Sequence, residues 1–162
     1  VRRASELGVL TSVVLLTAAV SLWFGLSVRE NANTALVDTA GTTAVADEVS
    51  GAIRSVLSYD YGDTGRTEQS ARQVLTGEAV EQYTALFGRV RQQAVEQKLV
   101  LTTTVRSIGV AELVGDRARL LVFVDQQTVR TGENQHTSRT GQLEVRAERS
   151  DGQWRITAIT VL

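Results

Sequence analysis

Catalytic sites are commonly built from a nucleophile beside a base, a pair of carboxylates, or a cluster of metal ligands. This chain is poor in all three. It carries one histidine and no cysteine. His136 stands in a polar stretch with no carboxylate or second ligand at metal-binding spacing, and reads as a solvent-exposed side chain. Serine or cysteine triads, histidine-pair metal sites, thiolate chemistry and disulfides are thereby excluded. The sequence also lacks an HExxH pattern and a glycine-rich phosphate loop. No metal and no cofactor is expected.

The carboxylates offer little more. Asp60 and Asp63 flank a Tyr-Gly turn and read as turn and cap residues. Asp125, with Gln126, interrupts an apolar strand, which suits a recognition or network role. Tyr83, Phe87, Phe123 and Trp154 are the aromatic residues placed to fill or line the domain interior. Trp154 opens the last strand, where it reads as core or as the mouth of that interior. No base is positioned to assist Tyr83 or Asp125, so the expectation is a protein that binds and does not catalyse.

Whatever those residues do, a membrane is expected to set where they do it. Leu7–Val28 reads LGVLTSVVLLTAAVSLWFGLSV and carries no charge. An apolar helix of about 22 residues crosses a hydrocarbon core about 30 Å thick. The run exceeds a signal peptide's apolar core, and no A-x-A pattern closes it. It reads as an uncleaved single-pass anchor. Arg2 and Arg3 precede it, while Arg29 is offset by Glu30, so the N-terminus is expected inside and the C-terminal domain outside. Trp23 and Phe24 suit the outer headgroup region. Thr17, Ser21 and Gly25 recur every four residues on one helix face, where small side chains let a partner helix approach closely.

Charge excludes one class of partner. The formal net charge is −1, and setting aside the first 28 residues hardly changes it. Nucleic-acid binding needs a basic surface that releases counterions, and none is present.

The organisation beyond the anchor reads as a flank at 1–6, the span at 7–28, a helical stalk or linker at 29–41, and one α+β domain at 42–162. Val45, Val49, Ile53, Val56 and Leu57 recur at helical spacing from Thr42 to Tyr59. Gly62–Gly65 breaks the chain, a short helix follows from Thr67 to Leu75, and Gly77 stops it. Glu78 to Lys98 again reads helical, with Val80, Tyr83, Phe87, Val90 and Ala94 on one side and Arg91 among the solvated charges. At Leu99 the period shifts to two. Strands are expected at Leu99–Val114, from Arg117 to about Arg130, around Leu143–Ala147, and from Trp154 to Val161. Thr131–Ser138 reads as an exposed loop. Short connections imply antiparallel neighbours. The expected architecture is helices on one face of a curved four-stranded antiparallel sheet, a cone with an apolar interior.

Several short motifs, in order, carry a family resemblance. They are Ser58-Tyr59-Asp60, Leu75-Thr76-Gly77 followed by Tyr83, Gly109-Val110, Val124-Asp125-Gln126 and Asp151-Gly152-Gln153-Trp154, behind an N-terminal anchor. The chain resembles the Mce-associated (mammalian cell entry) membrane proteins of mycobacteria and related actinobacteria. The resemblance implies a nuclear-transport-factor-2-like domain in the periplasm, anchored in the cytoplasmic membrane, an architecture shared with the periplasmic assembly factor of type IV secretion systems. It also implies a non-catalytic accessory subunit of an Mce transporter importing fatty acids, mycolic acids or sterols, meeting the permease or Mce proteins through the membrane helix. It carries over no catalytic residues. Two alternatives are a periplasmic lipid-binding module, with an acyl chain in the cone, and an assembly factor of a secretion-type envelope complex.

Overall fold

Helix α1 (Thr39–Leu57) begins where Asp38 caps it, the Asp38 carboxylate accepting the Gly41 N–H at 2.9 Å. A Cβ on residue 41 would press on that carboxylate and make the Asp38 side chain shift. The stripe Val45, Val49, Ala52, Ile53 and Val56 is buried, and α1 packs by it against the sheet. A computed structural model describes residues 32–131 and 135–162, and Thr34–Leu162 form one compact unit. The membrane span 7–28, with Thr17, Ser21, Trp23, Phe24 and Gly25, lies outside the described residues. Among the described residues, no helix is long and apolar enough to cross a membrane.

The described part of the expected stalk is a turn. The Thr34 N–H and Oγ1 donate to the Leu113 carbonyl at 2.8 and 3.0 Å. The Val37 and Asp38 N–H groups then close back on the Thr34 carbonyl. Capping by Asp38 starts the helix three residues before Thr42, because the cap side chain sets the start more strongly than the first apolar residue does.

After α1 come a two-residue strand β1 (Tyr59–Asp60), helix α2 (Thr64–Val74) and helix α3 (Glu78–Glu96). Asp60 accepts the Gly62 N–H at 2.8 Å, and Asp63 caps α2 by accepting the Arg66 N–H at 3.1 Å. Both aspartates are therefore the turn and cap residues their spacing suggests. Four long strands follow: β2 (Leu99–Val114), β3 (Arg117–Arg130), β4 (Gln135–Ser150) and β5 (Gln153–Val161). The sheet is a meander in the order β1-β2-β3-β4-β5, antiparallel throughout. Asp151 and Gly152 both have positive φ, 53° and 79°, as a tight primed turn between β4 and β5 requires. Bulges at Arg106 and Ala111 in β2, and at Thr157 in β5 opposite Arg146 and Ala147, add twist and curl the sheet over the helices.

Two expectations about the sheet need correction. It has five strands, because Tyr59 pairs with Leu101 and Asp60 with Val100; two residues are too few for a period-two pattern to register. The expected loop Thr131–Ser138 is also shorter. Strand β4 starts at Gln135, and His136, Thr137 and Ser138 pair with Val129, Thr128 and Gln127. His136 to Thr140 are all exposed, so here the sheet is held by backbone pairing with no buried face to advertise it.

The interior is filled with aliphatic side chains. Ile53 from α1 meets Leu120, Val122, Val145 and Ile156 from the concave face, each at most 1% exposed. Fully burying a side chain of this size contributes about 1.5–3 kcal/mol.

Candidate functional site

Helices α2 and α3 leave a cleft between them. Glu68, Ala71 and Arg72 share one face of α2 at three- and four-residue spacing, and Val80, Tyr83, Phe87 and Arg91 do so on α3. Leu75 joins the two sets at the end of α2. It is fixed by a parallel bridge to Ile156, and the next residue, Thr76, donates its N–H to the Ile156 carbonyl at 2.9 Å. Ala71 is the small residue on α2 that leaves room. The resulting space is about 310 Å³ and opens to solvent.

Its wall is aromatic. Tyr83 stacks on Phe87 with ring centroids 5.0 Å apart and planes at 16°, and Tyr59 meets the same Phe87 edge-on at 5.6 Å and 62°. Tyr59 is 5% exposed. The hydroxyls of Tyr59 and Tyr83 are both buried and have no hydrogen-bond partner among the described residues. Burial pushes the Tyr83 phenol up to about 12, with the Glu68 carboxylate adding to the effect and Arg72 opposing it. Burial also raises the Tyr59 phenol, against the pull of Arg91. Both phenols therefore keep their protons at neutral pH, which makes them hydrogen-bond donors and poor bases.

The rim carries more positive than negative charge. Arg91 pairs with Glu68 at 2.8 Å, and Arg72 stands 4.0 Å from the other oxygen of the same carboxylate. One glutamate thus faces two guanidinium groups. Among the described residues, no group of three or more histidine, cysteine or acidic side chains is arranged to hold a metal ion.

Of the described residues singled out in the sequence, only Tyr83 and Phe87 come together. Phe123 is 43% exposed and alternates with buried Val122 and Val124, so it lies on the sheet face away from the helices and does not fill the cone. Asp125 shares that outer face. It binds Arg106 Nε at 2.8 Å, the residue left over at the first β2 bulge, so its network role is a surface ion pair. Trp154 is 8% exposed and belongs to the core. Its backbone N–H donates to Glu48 Oε2 of α1.

Glu68, Arg72 and Arg91 of the cleft, and Tyr59 beside it, escape a reading of the sequence. Tyr59 reads as the end of a helix, Arg91 as part of a solvated face and Glu68 as part of a helix start, while Arg72 belongs to no motif. Helical spacing could have placed Glu68 beside Arg72, but only the packing of α2 on α3 puts Arg91 across from them.

No protein-family model matches the chain. It is 32% identical over 122 residues to an uncharacterized protein of Mycobacterium tuberculosis strain H37Rv, and equally to its counterpart in strain CDC 1551. The match covers 75% of this chain and 55% of the relatives, so the chain spans about half the length of the curated proteins it matches. Among solved structures it is similar to CagV, a VirB8 homolog of the Helicobacter pylori type IV secretion system. The TM-score is 0.62 at 13% identity, covering 74% of this chain and 96% of that one. An IcmL-like type IV secretion system protein from Legionella pneumophila gives a TM-score of 0.63 at 11% identity, covering 76% and 91%. A nuclear transport factor 2-like protein from Salmonella enterica gives 0.52 at 16% identity, covering 75% and 92%. The fold is the nuclear-transport-factor-2-like α+β fold, in the form taken by VirB8-like domains.

Proposed function

We propose that this chain is a non-catalytic subunit of a multi-protein envelope complex, acting by binding its partner proteins from the outer side of the cytoplasmic membrane. The observation that carries the reading is the fold. It is the fold of VirB8-like components of secretion systems, here with the concave face of the sheet closed by Ile53, Leu120, Val122, Val145 and Ile156. Enzymes built on a curled sheet need an open interior with an acid or base in it. The inventory of one histidine and no cysteine supports the non-catalytic part of the reading. On this reading Leu7–Val28 holds the domain to the bilayer, and Thr17, Ser21 and Gly25 face a partner helix.

The reading comes in two versions. In the first, the chain is an assembly factor of a secretion-type complex, which the VirB8-like neighbours favour. In the second, it is an accessory subunit of an Mce-type lipid importer, favoured by the ordered motifs from Ser58-Tyr59-Asp60 to Asp151-Gly152-Gln153-Trp154 and by the mycobacterial relatives. Affinity purification of the tagged chain from native membranes in mild detergent, with mass spectrometry of what accompanies it, separates them. Secretion ATPases and channel components support the first version, and Mce proteins with their permease support the second. Recovery of the chain without any envelope protein overturns both.

A further inference from the structure

The turn Thr34–Asp38 is held from both sides. The Thr34 N–H and Oγ1 donate to the Leu113 carbonyl, Ala35 is buried in the core, and Thr42 Oγ1 donates to the Ala35 carbonyl at 2.9 Å. Between these fixed points the turn presents Leu36 and Val37 to solvent. They are 95% and 81% exposed, the two most exposed large apolar side chains among the described residues. A single exposed leucine is ordinary on a protein surface. Two adjacent aliphatic side chains at the tip of a fixed turn gain from being covered.

Chain length decides what covers them. On the reading that Leu7–Val28 holds the domain to the bilayer, Arg29 to Asn33 are all that separates the span from Thr34. The Cα steps from Val28 to Thr34 reach at most about 21 Å, so the turn stays within that distance of the membrane. The same end of the domain carries the β2–β3 turn at Gly115–Asp116, just past Leu113. The Arg149 N–H donates to the Asp116 carbonyl at 2.8 Å, which brings the end of β4 alongside. The charges here are Arg117 and Arg149 against Asp38, Asp116, Glu148 and Asp151. They leave no positive surplus to attract anionic headgroups.

We propose that Leu36 and Val37 rest on the bilayer, with their side chains at the boundary between headgroups and acyl chains. The domain then meets the membrane by this turn as well as by its anchor. The contact is apolar, since burial of the two side chains drives it and the surrounding charges do not. Strand β5 leads away from this end, reaching Val161 about 26 Å from Gln153 at about 3.3 Å per residue. Val161 and Leu162, themselves 76% and 66% exposed, therefore stand clear of the membrane. The proposal rests on the single-pass reading of Leu7–Val28.

Methyl NMR of the full chain in phosphatidylcholine nanodiscs tests this without altering a side chain. Two paramagnetic agents are compared: a lipid with a nitroxide on its acyl chain near the headgroup, and a gadolinium chelate in the water. Leu36 and Val37 are expected to lose their signals to the lipid nitroxide and to keep them against the chelate. Val161 and Leu162 should do the reverse. Replacing part of the phosphatidylcholine by phosphatidylglycerol should change neither result. Leu15 and Leu16 report on the span in the same spectrum. If they lose signal to the lipid while Leu36 and Val37 remain open to the chelate, the contact is overturned and the anchor stands. If Leu15 and Leu16 are untouched by the lipid, the anchor fails and the contact fails with it. Protection of Leu36 and Val37 from the chelate without loss to the lipid overturns the proposal by naming a second copy of the chain as the cover. Protection that arises only with phosphatidylglycerol overturns it by making the contact electrostatic.

Discussion

The Glu48 carboxylate accepts the backbone N–H of Trp154 at 2.9 Å, joining residues 106 positions apart in sequence. Strand β5 is the sheet's last strand, and its outer edge would otherwise offer open donors and acceptors. Gln82 Oε1 accepts the Ile159 N–H at 3.0 Å, and the Thr76 N–H takes the Ile156 carbonyl. Three helix and loop groups thus stand where a neighbouring strand would bind.

Removing the Glu48 acceptor should therefore be felt at Trp154. E48A should lose about 1–2 kcal/mol, the cost of a partly buried donor left without its partner. E48Q, which keeps an acceptor oxygen, should lose less. Urea unfolding gives the stability, and hydrogen exchange at the Trp154 amide reports the bond itself. Equal exchange in the wild type and E48A would count against it.

Adjacent residues of β3 should respond very differently. Leu120 is fully buried and Leu121 is 37% exposed on the opposite face. L120A should cost about 2–5 kcal/mol, while L121A should stay below about 1 kcal/mol. Similar losses in the two variants would mean that the register of β3 is displaced by one residue.

Tyr59→Phe should leave stability unchanged or raise it, by up to about 1 kcal/mol, since it removes a buried hydroxyl that has no partner in the fold. A clear drop in thermal midpoint would show that this hydroxyl is hydrogen-bonded in solution.

The phenols should also shape the alkaline limb of the stability curve. Both have pKa values raised above 10.0, that of Tyr83 to about 12. Above pH 10 the unfolded chain releases these protons while the folded chain holds them. Stability should thus be intact below pH 10 and fall as the pH rises toward 12. Absorbance titration of the wild type against Y83F isolates the high-pH component. A Tyr83 transition near 10 would show that its ring is solvated.

The Arg106–Asp125 pair should contribute little. The arginine side chain is 71% exposed, and exposed pairs are worth about 0.2–1 kcal/mol. A double-mutant cycle with R106A and D125A should find a coupling in that range, and high salt should remove it.

Periodicity made the helices and long strands legible. The stripe from Val45 to Val56 and the alternation Leu143-Val145-Ala147 each announce a buried face, and each is buried as announced. Strand β1 and the start of β4 were hidden because neither buries an alternating face: Tyr59–Asp60 is too short, and His136–Thr140 is exposed throughout. Phe123 was misread for a related reason. An aromatic side chain in a strand suggests core, but its parity with buried Val122 and Val124 already assigns it to the other face. Tyr83 and Phe87 were legible as one face of α3. That Tyr59 and Arg91 join them depends on how α2 lies on α3, and no local pattern encodes that.

The two hydrogen bonds from Thr34 to the Leu113 carbonyl have a mechanical meaning. Any pull on the chain from its N-terminal side reaches this clasp before it reaches α1. If the clasp opens, the four Cα steps from Thr34 to Asp38 can straighten to a span of at most about 14 Å, at about 3.5 Å per residue, while α1 and the sheet stay packed. The turn is thus the first part of the described fold to yield to such a pull, ahead of α1 and the sheet.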